Sequence, residues 1–296
     1  MAEFQGIIVI HKEKGFTSHD VVAKLRGILH MKKIGHTGTL DPDATGVLPV
    51  ALGKGTKLVD LITDKEKTYE AVLHLGIATD TQDMSGRILE EKEVTVTEEE
   101  VKAVLESFKG EQMQIPPMYS ALKVDGKKLY ELAREGKTVE RKARPVCFFD
   151  IRVLEMKLPL VKIRVTCSKG TYIRTLCHDI GQKLGCGGCM EELLRTRVGR
   201  FSLEESHTLE EVEKAVEDGS ILDKIYPVEK VLGEYPPIHA NSYGDRLLEN
   251  GNPLSENLVD VQHKEGWVRM YTSDGGFTGI FQWDAGKKKY YPVKMF

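Results

Sequence analysis

Apolar and polar residues alternate in two stretches of the chain, and this period of two predicts β-strands. "VKIRVTC" (161–167) alternates strictly, as expected for a strand with one exposed face. "TYEAVLHLGIATDT", which begins at residue 68, places Tyr69 and every second residue after it on one face. "GIIVIHK" (6–12) is almost continuously apolar, which predicts a strand buried on both sides.

A helical period replaces the strand period elsewhere. "TSHDVVAKLRGILH" opens with the cap candidates Thr17 and Ser18, and "TEEEVKAVLESF" opens with a Thr97/Glu100 capping box. "TYIRTLCHDIGQKLG" repeats its apolar residues at helical spacing after a turn, so Tyr172 and Arg174 lie where a strand leads into a helix. Residues at such junctions often belong to functional sites.

The order of these elements predicts the fold class. Strands and helices mix without the regular alternation of a doubly wound sheet, so we expect an α+β fold whose mixed sheet is largely antiparallel and flanked by helices. The Pro-rich stretch "GEYPPIHANSYG" predicts a domain boundary, with a main domain over 1–234 and a small β-rich domain over 235–296. Within the second domain, "SDGG" predicts a hairpin turn.

One segment fits neither period: "GHTGTLDPDATGVLP" (35–49). Asp41 precedes Pro42, which disfavours the helical conformation at Asp41, and three glycines supply torsions that other residues resist. Such a loop can hold one carboxylate rigidly. That carboxylate could act as a nucleophile, a general base or a metal ligand, or the loop could simply be a turn.

Composition excludes several classes of protein. The sequence has no apolar run of the ~20 residues that a membrane span needs and no secretory signal pattern, so we expect a cytoplasmic protein. Five cysteines are an odd number, which disfavours a disulfide framework. "CGGC" (186–189) has the spacing of half a zinc site, but no second cysteine pair follows it, and we interpret it as a reduced Gly-rich turn.

Charge is distributed unevenly around a net value of −3. Lys and Arg outnumber Asp and Glu by 8 to 3 over residues 160–200 and by 8 to 5 over 110–145, whereas acids dominate residues 201–234. Local positive charge is what a polyanion-binding face requires, although each segment could also be an ordinary solvated surface. Residues 110–145, with prolines at both ends, predict a basic insertion that projects from the sheet and holds a partner.

The loop strongly resembles the catalytic motif of the TruB-type pseudouridine synthases, which isomerise uridine 55 in the T loop of transfer RNA. Other signature segments of that family match in order and cover most of residues 5–210: "GIIVIHKEKGFTSHDVV", "KTYEAVLHLG", "TDTQDMSG", "IPPMYSALKVDGKKLYELAREG", "CSKGTYIRTLCHDIGQKLG" and "LLRTRVGRFSL". The β-rich C-terminus looks, more loosely, like the RNA-binding PUA domain of such enzymes. The resemblance implies a stand-alone enzyme of the bacterial type.

The resemblance implies a role for each matching residue. Asp41 matches the essential aspartate, and Tyr69 matches the tyrosine that stacks on the target base and is placed for proton transfer. His36 matches the histidine that helps the base leave the stack. The remaining matches are Tyr172 and Leu193, which line the uridine pocket, Arg174, which pairs with the catalytic carboxylate, and Asp83, to which we assign a supporting role. The insertion over 110–145 looks like the family's RNA-clasping element.

The implied chemistry explains these residue types. Pseudouridine forms when a C–N glycosidic bond breaks and the uracil rejoins the sugar through carbon, without net redox change, so we expect no cofactor and no metal. The target base must be flipped out, which costs a few kcal/mol of unstacking. Stacking on a tyrosine can return ~1–3 kcal/mol. We expect a monomer that binds the T arm of transfer RNA, without a membrane partner.

The sequence departs from the family at a few positions. His11 and Glu13 replace an acid and a proline that are usual in the first motif, and Leu194 stands where an arginine is common. The loss of that arginine removes one positive charge expected near the RNA. Cys189 is also unusual for the family.

Three other functions are compatible with parts of the sequence. A guide-RNA-dependent pseudouridylase subunit shares the catalytic motif but usually carries an N-terminal extension, and we expect no guide RNA here. A non-catalytic RNA-binding or RNA-folding protein would not need Asp41. A two-carboxylate glycoside hydrolase would place a second acid across the pocket from Asp41.

Overall fold

The computed structural model describes residues 4–124 and 126–296. The strands are β1 (Gly6–Lys12), β2 (Ile34–His36), β3 (Thr45–Leu52), β4 (Lys67–Leu75), β5 (Ile77–Thr79), β6 (Ile88–Glu91), β7 (Gly110–Gln114), β8 (Lys123–Val124), β9 (Lys127–Lys128), β10 (Arg144–Lys157), β11 (Leu160–Cys167), β12 (Gly188–Val198), β13 (Phe201–Ser202), β14 (Ile225–Tyr226), β15 (Pro237–His239), β16 (Leu254–Ser255), β17 (Trp267–Tyr271), β18 (Phe277–Asp284) and β19 (Lys289–Met295). The helices are α1 (Ser18–Ile28), α2 (Val59–Thr63), α3 (Glu98–Ser107), α4 (Leu129–Arg134), α5 (Ile173–Leu184), α6 (Leu209–Glu217), α7 (Val228–Val231) and α8 (Ser242–Glu249).

The strands and helices predicted from periodicity are present. Thr17 and Thr97 cap α1 and α3, and each forms the expected capping box. In β4 the burial alternates along the whole strand, with Tyr69 on the buried face. Local sequence signals therefore specify these elements.

A ten-stranded sheet forms the centre of the molecule, in the order β14-β1-β3-β12-β4-β11-β10-β7, with β13 on β12 and β2 on β3. Neighbouring strands are antiparallel except β3 and β12, which are parallel. The expected α+β fold with a mixed, largely antiparallel sheet is confirmed.

Apolar clusters cover both faces of this sheet. Ile8 and Ile10 of β1 pack with α1 and α6 on one side, whereas Ile7 and Val9 pack with residues of α2, α7 and the C-terminal strands on the other. Burial on both faces explains why β1 is continuously apolar. A third cluster, between the sheet and the helices α3 and α5, extends to the loop that contains Asp41.

Both ends of the predicted 110–145 insertion belong to the central sheet. Gly110–Gln114 is the edge strand β7, and Arg144 already begins β10. The part that leaves the sheet is residues 115–143, which contains the β8–β9 hairpin and α4 and has a small apolar cluster around Leu129. The predicted insertion is therefore shorter at both ends, because β7 is held by pairing with β10.

The C-terminal strands form a separate five-stranded sheet in the order β15-β17-β18-β19-β16. The expected hairpin around "SDGG" joins β17 to β18. Lys294 on β19 forms an ion pair of 2.6 Å with Asp60 of α2, and Ile280 packs into a cluster of the central sheet. The domain boundary at 234/235 stays a prediction.

The cysteines, all within the described residues, are free thiols. At "CGGC" a Cβ on Gly181 of α5 would lie 2.1 Å from the Gly188 nitrogen. The turn thus lets α5 lie directly on the start of β12. Across residues 4–124 and 126–296 the helices all lack the length and apolar character that a bilayer crossing demands.

Candidate active site

The loop that carries Asp41 connects β2 to β3, which pair as an antiparallel hairpin. Leu40 and Ala44 are buried on either side of the aspartate, and the Ala44 amide donates a hydrogen bond to the Asp41 carbonyl (3.1 Å). The apolar neighbours hold the backbone while the carboxylate between them stays accessible.

Hydrogen bonds to buried side chains fix this loop further. The Leu40 amide donates to Ser18 Oγ (2.9 Å), and Thr37 donates to the Pro49 carbonyl through both its amide and its hydroxyl (3.1 Å each). These hydrogen bonds hold the backbone before Asp41 in place, as a loop that presents one functional group requires.

Lys12 anchors the loop from below. Its fully buried Nζ donates to the carbonyls of Pro42 (3.0 Å), Glu13 (3.0 Å) and Phe16 (2.6 Å). Burial lowers the pKa of Lys12 from 10.5 to about 8, although the charge of Asp41 opposes this effect. The lysine therefore binds the residue that follows Asp41 and contributes positive charge beneath the loop.

Asp41 pairs with Arg174 from α5. Arg174 Nε lies 3.0 Å from Asp41 Oδ2, and Nη2 donates to Oδ1 at 3.2 Å. The guanidinium, only 5% exposed, also donates to the carbonyls of Thr81 (3.2 Å) and Tyr119 (2.9 Å). The planar, fixed donors of arginine thus orient the carboxylate from one side.

Although 39% of the Asp41 side chain is exposed, the protein packed around the rest of it removes water and raises the pKa of Asp41 above its ordinary value; the positive charge of Arg174 opposes that rise. The negative charge of Asp83 adds to the rise. Asp83 Oδ2 lies 3.5 Å from Arg174 Nη1, while Asp83 Oδ1 accepts hydrogen bonds from the Thr81 hydroxyl (2.7 Å) and the Ser85 amide (3.0 Å). Asp83 therefore lies against the guanidinium of Arg174, and its supporting role stays a prediction.

Tyr69 and Leu193 lie on the neighbouring strands β4 and β12 and belong to the same apolar cluster as Leu40 and Ala44. Burial raises the pKa of the Tyr69 phenol, and the charge of Asp41 raises it further. The Tyr69 phenol is therefore uncharged near pH 7, and its ring packs in the apolar cluster that includes the Asp41 loop.

Tyr172 is held at the N-terminus of α5 by Gln114, the last residue of β7. The Tyr172 amide donates to Gln114 Oε1 (2.8 Å), and Gln114 Nε2 donates back to the Tyr172 carbonyl (3.0 Å). Burial raises the pKa of the Tyr172 phenol as well, and Asp41 contributes to that rise. The charge of Asp41 therefore raises the pKa of two phenols, those of Tyr69 and Tyr172.

His36 lies at the end of β2. Its Nδ1 accepts a hydrogen bond from the Gly38 amide (3.4 Å), which places the ring proton of the neutral form on Nε2. Burial lowers the pKa of His36, and the positive charge of Arg195 lowers it further. The imidazole is therefore neutral near pH 7.

The structure brings several of the predicted residues together. Asp41, Arg174 and Asp83 are joined by ion pairs, and Tyr69 and Leu193 share an apolar cluster with Leu40 and Ala44 of the loop. Tyr172 precedes α5, which carries Arg174, and His36 accepts its hydrogen bond from Gly38 within the loop. Sequence reasoning missed three buried supporting residues, which are Lys12, Gln114 and Arg195. The signal for Arg195 was available, because the period of two in β12 places it on the same buried face as Leu193. A charged residue on an apolar face calls for a partner in the fold.

This arrangement presents one oriented carboxylate beside aromatic and aliphatic side chains. Asp41 can supply negative charge as a nucleophile or a base, Arg174 orients it, and the aromatic and aliphatic walls can hold a flat base. Asp83 Oδ1 accepts hydrogen bonds from the hydroxyls of Thr81 and Ser85, while Oδ2 faces Arg174.

Similarity to known proteins agrees with this description. The family model described as "TruB family pseudouridylate synthase (N terminal domain)" matches residues 26–173, and "tRNA pseudouridylate synthase B C-terminal domain" matches residues 174–233. A protein of Lachnoclostridium phytofermentans named "tRNA pseudouridine synthase B" is 52% identical over 98% of this chain and 99% of its own length. One of the same name from Clostridium tetani is 47% identical over 94% and 95%.

A solved H/ACA ribonucleoprotein bound to a substrate RNA containing 2'-deoxyuridine superposes with a TM-score of 0.73 at 28% identity, covering 98% of this chain and 84% of that chain. The fold, the site and the relatives together define a pseudouridine synthase, which is an isomerase. Within that class the chain belongs to the TruB family, which confirms the family predicted from the sequence motifs.

Proposed function

We propose that this chain isomerises uridine 55 in the T loop of transfer RNA to pseudouridine, with Asp41 as the reacting carboxylate. The relatives named tRNA pseudouridine synthase B support transfer RNA as the substrate. The observation that carries the assignment of Asp41 is its two-point pairing with the buried Arg174, because that contact gives one carboxylate a fixed direction.

In the proposed reaction the N1–C1′ bond of uridine breaks and a C5–C1′ bond forms. The proton on C5 leaves to solvent and N1 gains a proton, so atoms and charge balance without an oxidant or a cofactor. Asp41 acts at the sugar–base junction, Arg174 holds it, and Asp83 holds Arg174. Tyr69 stacks on the base, His36 helps the base leave the helix stack, and Tyr172 and Leu193 close the pocket.

The RNA-binding surfaces follow from position and charge. Residues 115–143 leave the sheet immediately after Gln114, and their Tyr119 carbonyl contacts Arg174, so this basic segment lies beside the site. We propose that it clasps the T arm. We also propose that residues 1–234 form the catalytic domain, that residues 235–296 form a PUA-like RNA-binding domain, and that the enzyme acts as a monomer.

A guide-RNA-dependent enzyme is the second candidate, because the chain resembles a protein of the H/ACA ribonucleoprotein. The higher identity and near-complete mutual coverage of the tRNA pseudouridine synthase B relatives favour the stand-alone reaction. The two candidates differ in one requirement: a stand-alone enzyme modifies a T-arm hairpin when no guide RNA is present.

The decisive experiment measures tritium release from C5-labelled uridine in a T-arm hairpin without guide RNA. Wild type and an Asp43→Asn control, which changes an exposed acid of the same loop, should release tritium. Asp41→Asn should release none while it still binds the hairpin. Activity in Asp41→Asn would refute the role of Asp41, and binding without release by wild type would favour an RNA-binding protein or a guided enzyme.

A further inference from the structure

Arg195 is buried in β12 beneath the Asp41 loop, with 2% of its surface exposed. Its Nε donates to the Val47 carbonyl at 2.7 Å, and Nη1 and Nη2 donate to the carbonyls of Thr39 (3.4 Å) and Gly38 (3.5 Å). Gly38 and Thr39 precede Asp41, and Val47 follows it in β3. One guanidinium therefore joins both arms of the loop.

The charge of Arg195 has an unusual environment. Across residues 4–124 and 126–296, no carboxylate oxygen lies within 4 Å of its guanidinium, and the three hydrogen bonds described above go to backbone carbonyls. Burial of a charge without an opposite charge is costly, so such a residue adds little to stability compared with an apolar side chain. A buried charge with these partners points to a task in the site other than stability.

Arg195 also faces Tyr69 across the sheet. The two residues are directly opposite in the antiparallel pair of β12 and β4, and both side chains are buried. Opposite residues in such a pair have Cβ atoms about 5 Å apart. The charge of Arg195 lowers the pKa of the Tyr69 phenol, against the effect of burial.

We infer that Arg195 is a positioning residue for the isomerisation: its guanidinium fixes residues 38, 39 and 47 around Asp41 and keeps that loop in register with Tyr69. The inference rests on the proposed function of the site. Arg195 touches neither Asp41 nor the substrate in this scheme. It sets the spacing between the carboxylate on the loop and the aromatic ring on β4.

Lysine cannot perform this task fully. Arginine presents its donors in a rigid fork, whereas lysine concentrates its charge on one ammonium group. An ammonium can keep the positive charge but cannot reach carbonyls on both arms with the same geometry. Arg195→Lys and Arg195→Met therefore separate the contribution of geometry from that of charge.

The test compares Arg195→Met and Arg195→Lys with Arg152→Met, which removes an exposed arginine from β10. Single-turnover tritium release gives the rate of the chemical step, and titration with the hairpin gives its Kd. Two-dimensional NMR of the free proteins gives the pKa of His36, with His36→Gln used for assignment. Circular dichroism confirms that each variant is folded.

We expect Arg195→Met to lower the single-turnover rate by about 100-fold, as for the loss of a positioning contact, with little change in Kd. Arg195→Lys should recover part of that rate, and Arg152→Met should match wild type. In Arg195→Met the pKa of His36 should rise, because the nearby positive charge is gone. In Arg195→Lys it should stay close to that of wild type.

Two results would overturn the inference: a folded Arg195→Met variant with the wild-type rate, or an unchanged His36 pKa in that variant. If Arg195→Met does not fold, the rate of Arg195→Lys decides, and a wild-type rate refutes the positioning role. If wild type itself releases no tritium, the proposed function fails. The difference in the pKa of His36 between wild type and Arg195→Met then still shows whether the Arg195 guanidinium lies beside the loop.

Discussion

Arg174 Nε lies 3.0 Å from Asp41 Oδ2, although the two residues are 133 positions apart in the chain. The contact joins the β2–β3 loop to the first turn of α5, so the carboxylate that we propose reacts and the guanidinium that orients it come from two separate elements. The chemistry of the site therefore depends on how the sheet is assembled.

The rate should depend on pH through Asp41. Burial raises the pKa of Asp41, so the reactive carboxylate is lost on acidification at a higher pH than the ~3.9 of an ordinary aspartate. Arg174→Gln removes the opposing positive charge and should move the midpoint of the residual activity further upward. Single-turnover rates between pH 4 and 8 measure both midpoints; a wild-type midpoint at or below the ordinary value would contradict this assignment.

Gln114→Glu should destabilise the Tyr172 junction at neutral pH. The carboxylate can still accept from the Tyr172 amide, but it cannot donate to the Tyr172 carbonyl, and an unsatisfied buried group costs about 1–3 kcal/mol. Burial raises the pKa of the introduced acid, so the cost is present above that pKa and is relieved as the pH falls and the acid becomes a donor. Urea unfolding at pH 7 and pH 5 should show the recovery.

Gln112→Glu provides the control for that experiment, because Gln112 lies on the same strand but is more exposed. It should lose little stability at either pH. Equal losses in the two variants would mean that the paired hydrogen bonds of Gln114 are unimportant.

Gly46→Ala should disrupt the junction between β3 and β12. Gly46 has a φ of +102°, and a Cβ there would lie 2.2 Å from the Arg195 carbonyl. An alanine at a positive φ with a backbone clash should lower the free energy of unfolding by more than about 1 kcal/mol. Urea unfolding measures the loss, and tritium release should fall because the Asp41 loop shifts.

Gly35→Ala is the matched substitution on the other arm, where a new Cβ meets nothing within 4 Å. It should unfold at nearly the same urea concentration as wild type and retain activity. A larger loss in Gly35→Ala than in Gly46→Ala would show that the close approach of β3 and β12 is not the limiting feature.

Lys12 should make stability depend on alkaline pH. Its pKa is about 8 in the folded protein and near 10.5 when exposed, so the unfolded chain binds more protons between these values. The contribution of Lys12 to the free energy of unfolding is therefore lowest below pH 8. It increases as the pH rises to 10.5, by about 3 kcal/mol at most. The difference in unfolding free energy between wild type and Lys12→Met should shift in favour of wild type over that range, and a constant difference would rule out the lowered pKa.

Local elements could be predicted because their signals are short-range. The alternation in β4, the helical period of α1 and the capping boxes at Thr17 and Thr97 each depend on residues a few positions apart. The edge strand β7 could not be predicted, since "GEQMQ" has no apolar alternation and only pairing with β10 makes it a strand. The same pairing brings Gln114 to Tyr172.

The sequence alone determined the family, the α+β class and the irregular loop with Asp41 before a proline. These features depend on the order of motifs and on backbone preferences that neighbouring residues set. Tertiary structure alone decided that the partners of Lys12 and Arg195 would be backbone carbonyls of that loop and of β3. The Arg195 contacts depend on the parallel placement of β12 beside β3, and the Lys12 contact depends on the pairing of β1 with β3. Hydrogen bonds to backbone carbonyls leave no signature in residue types, so only the assembled sheet identifies them.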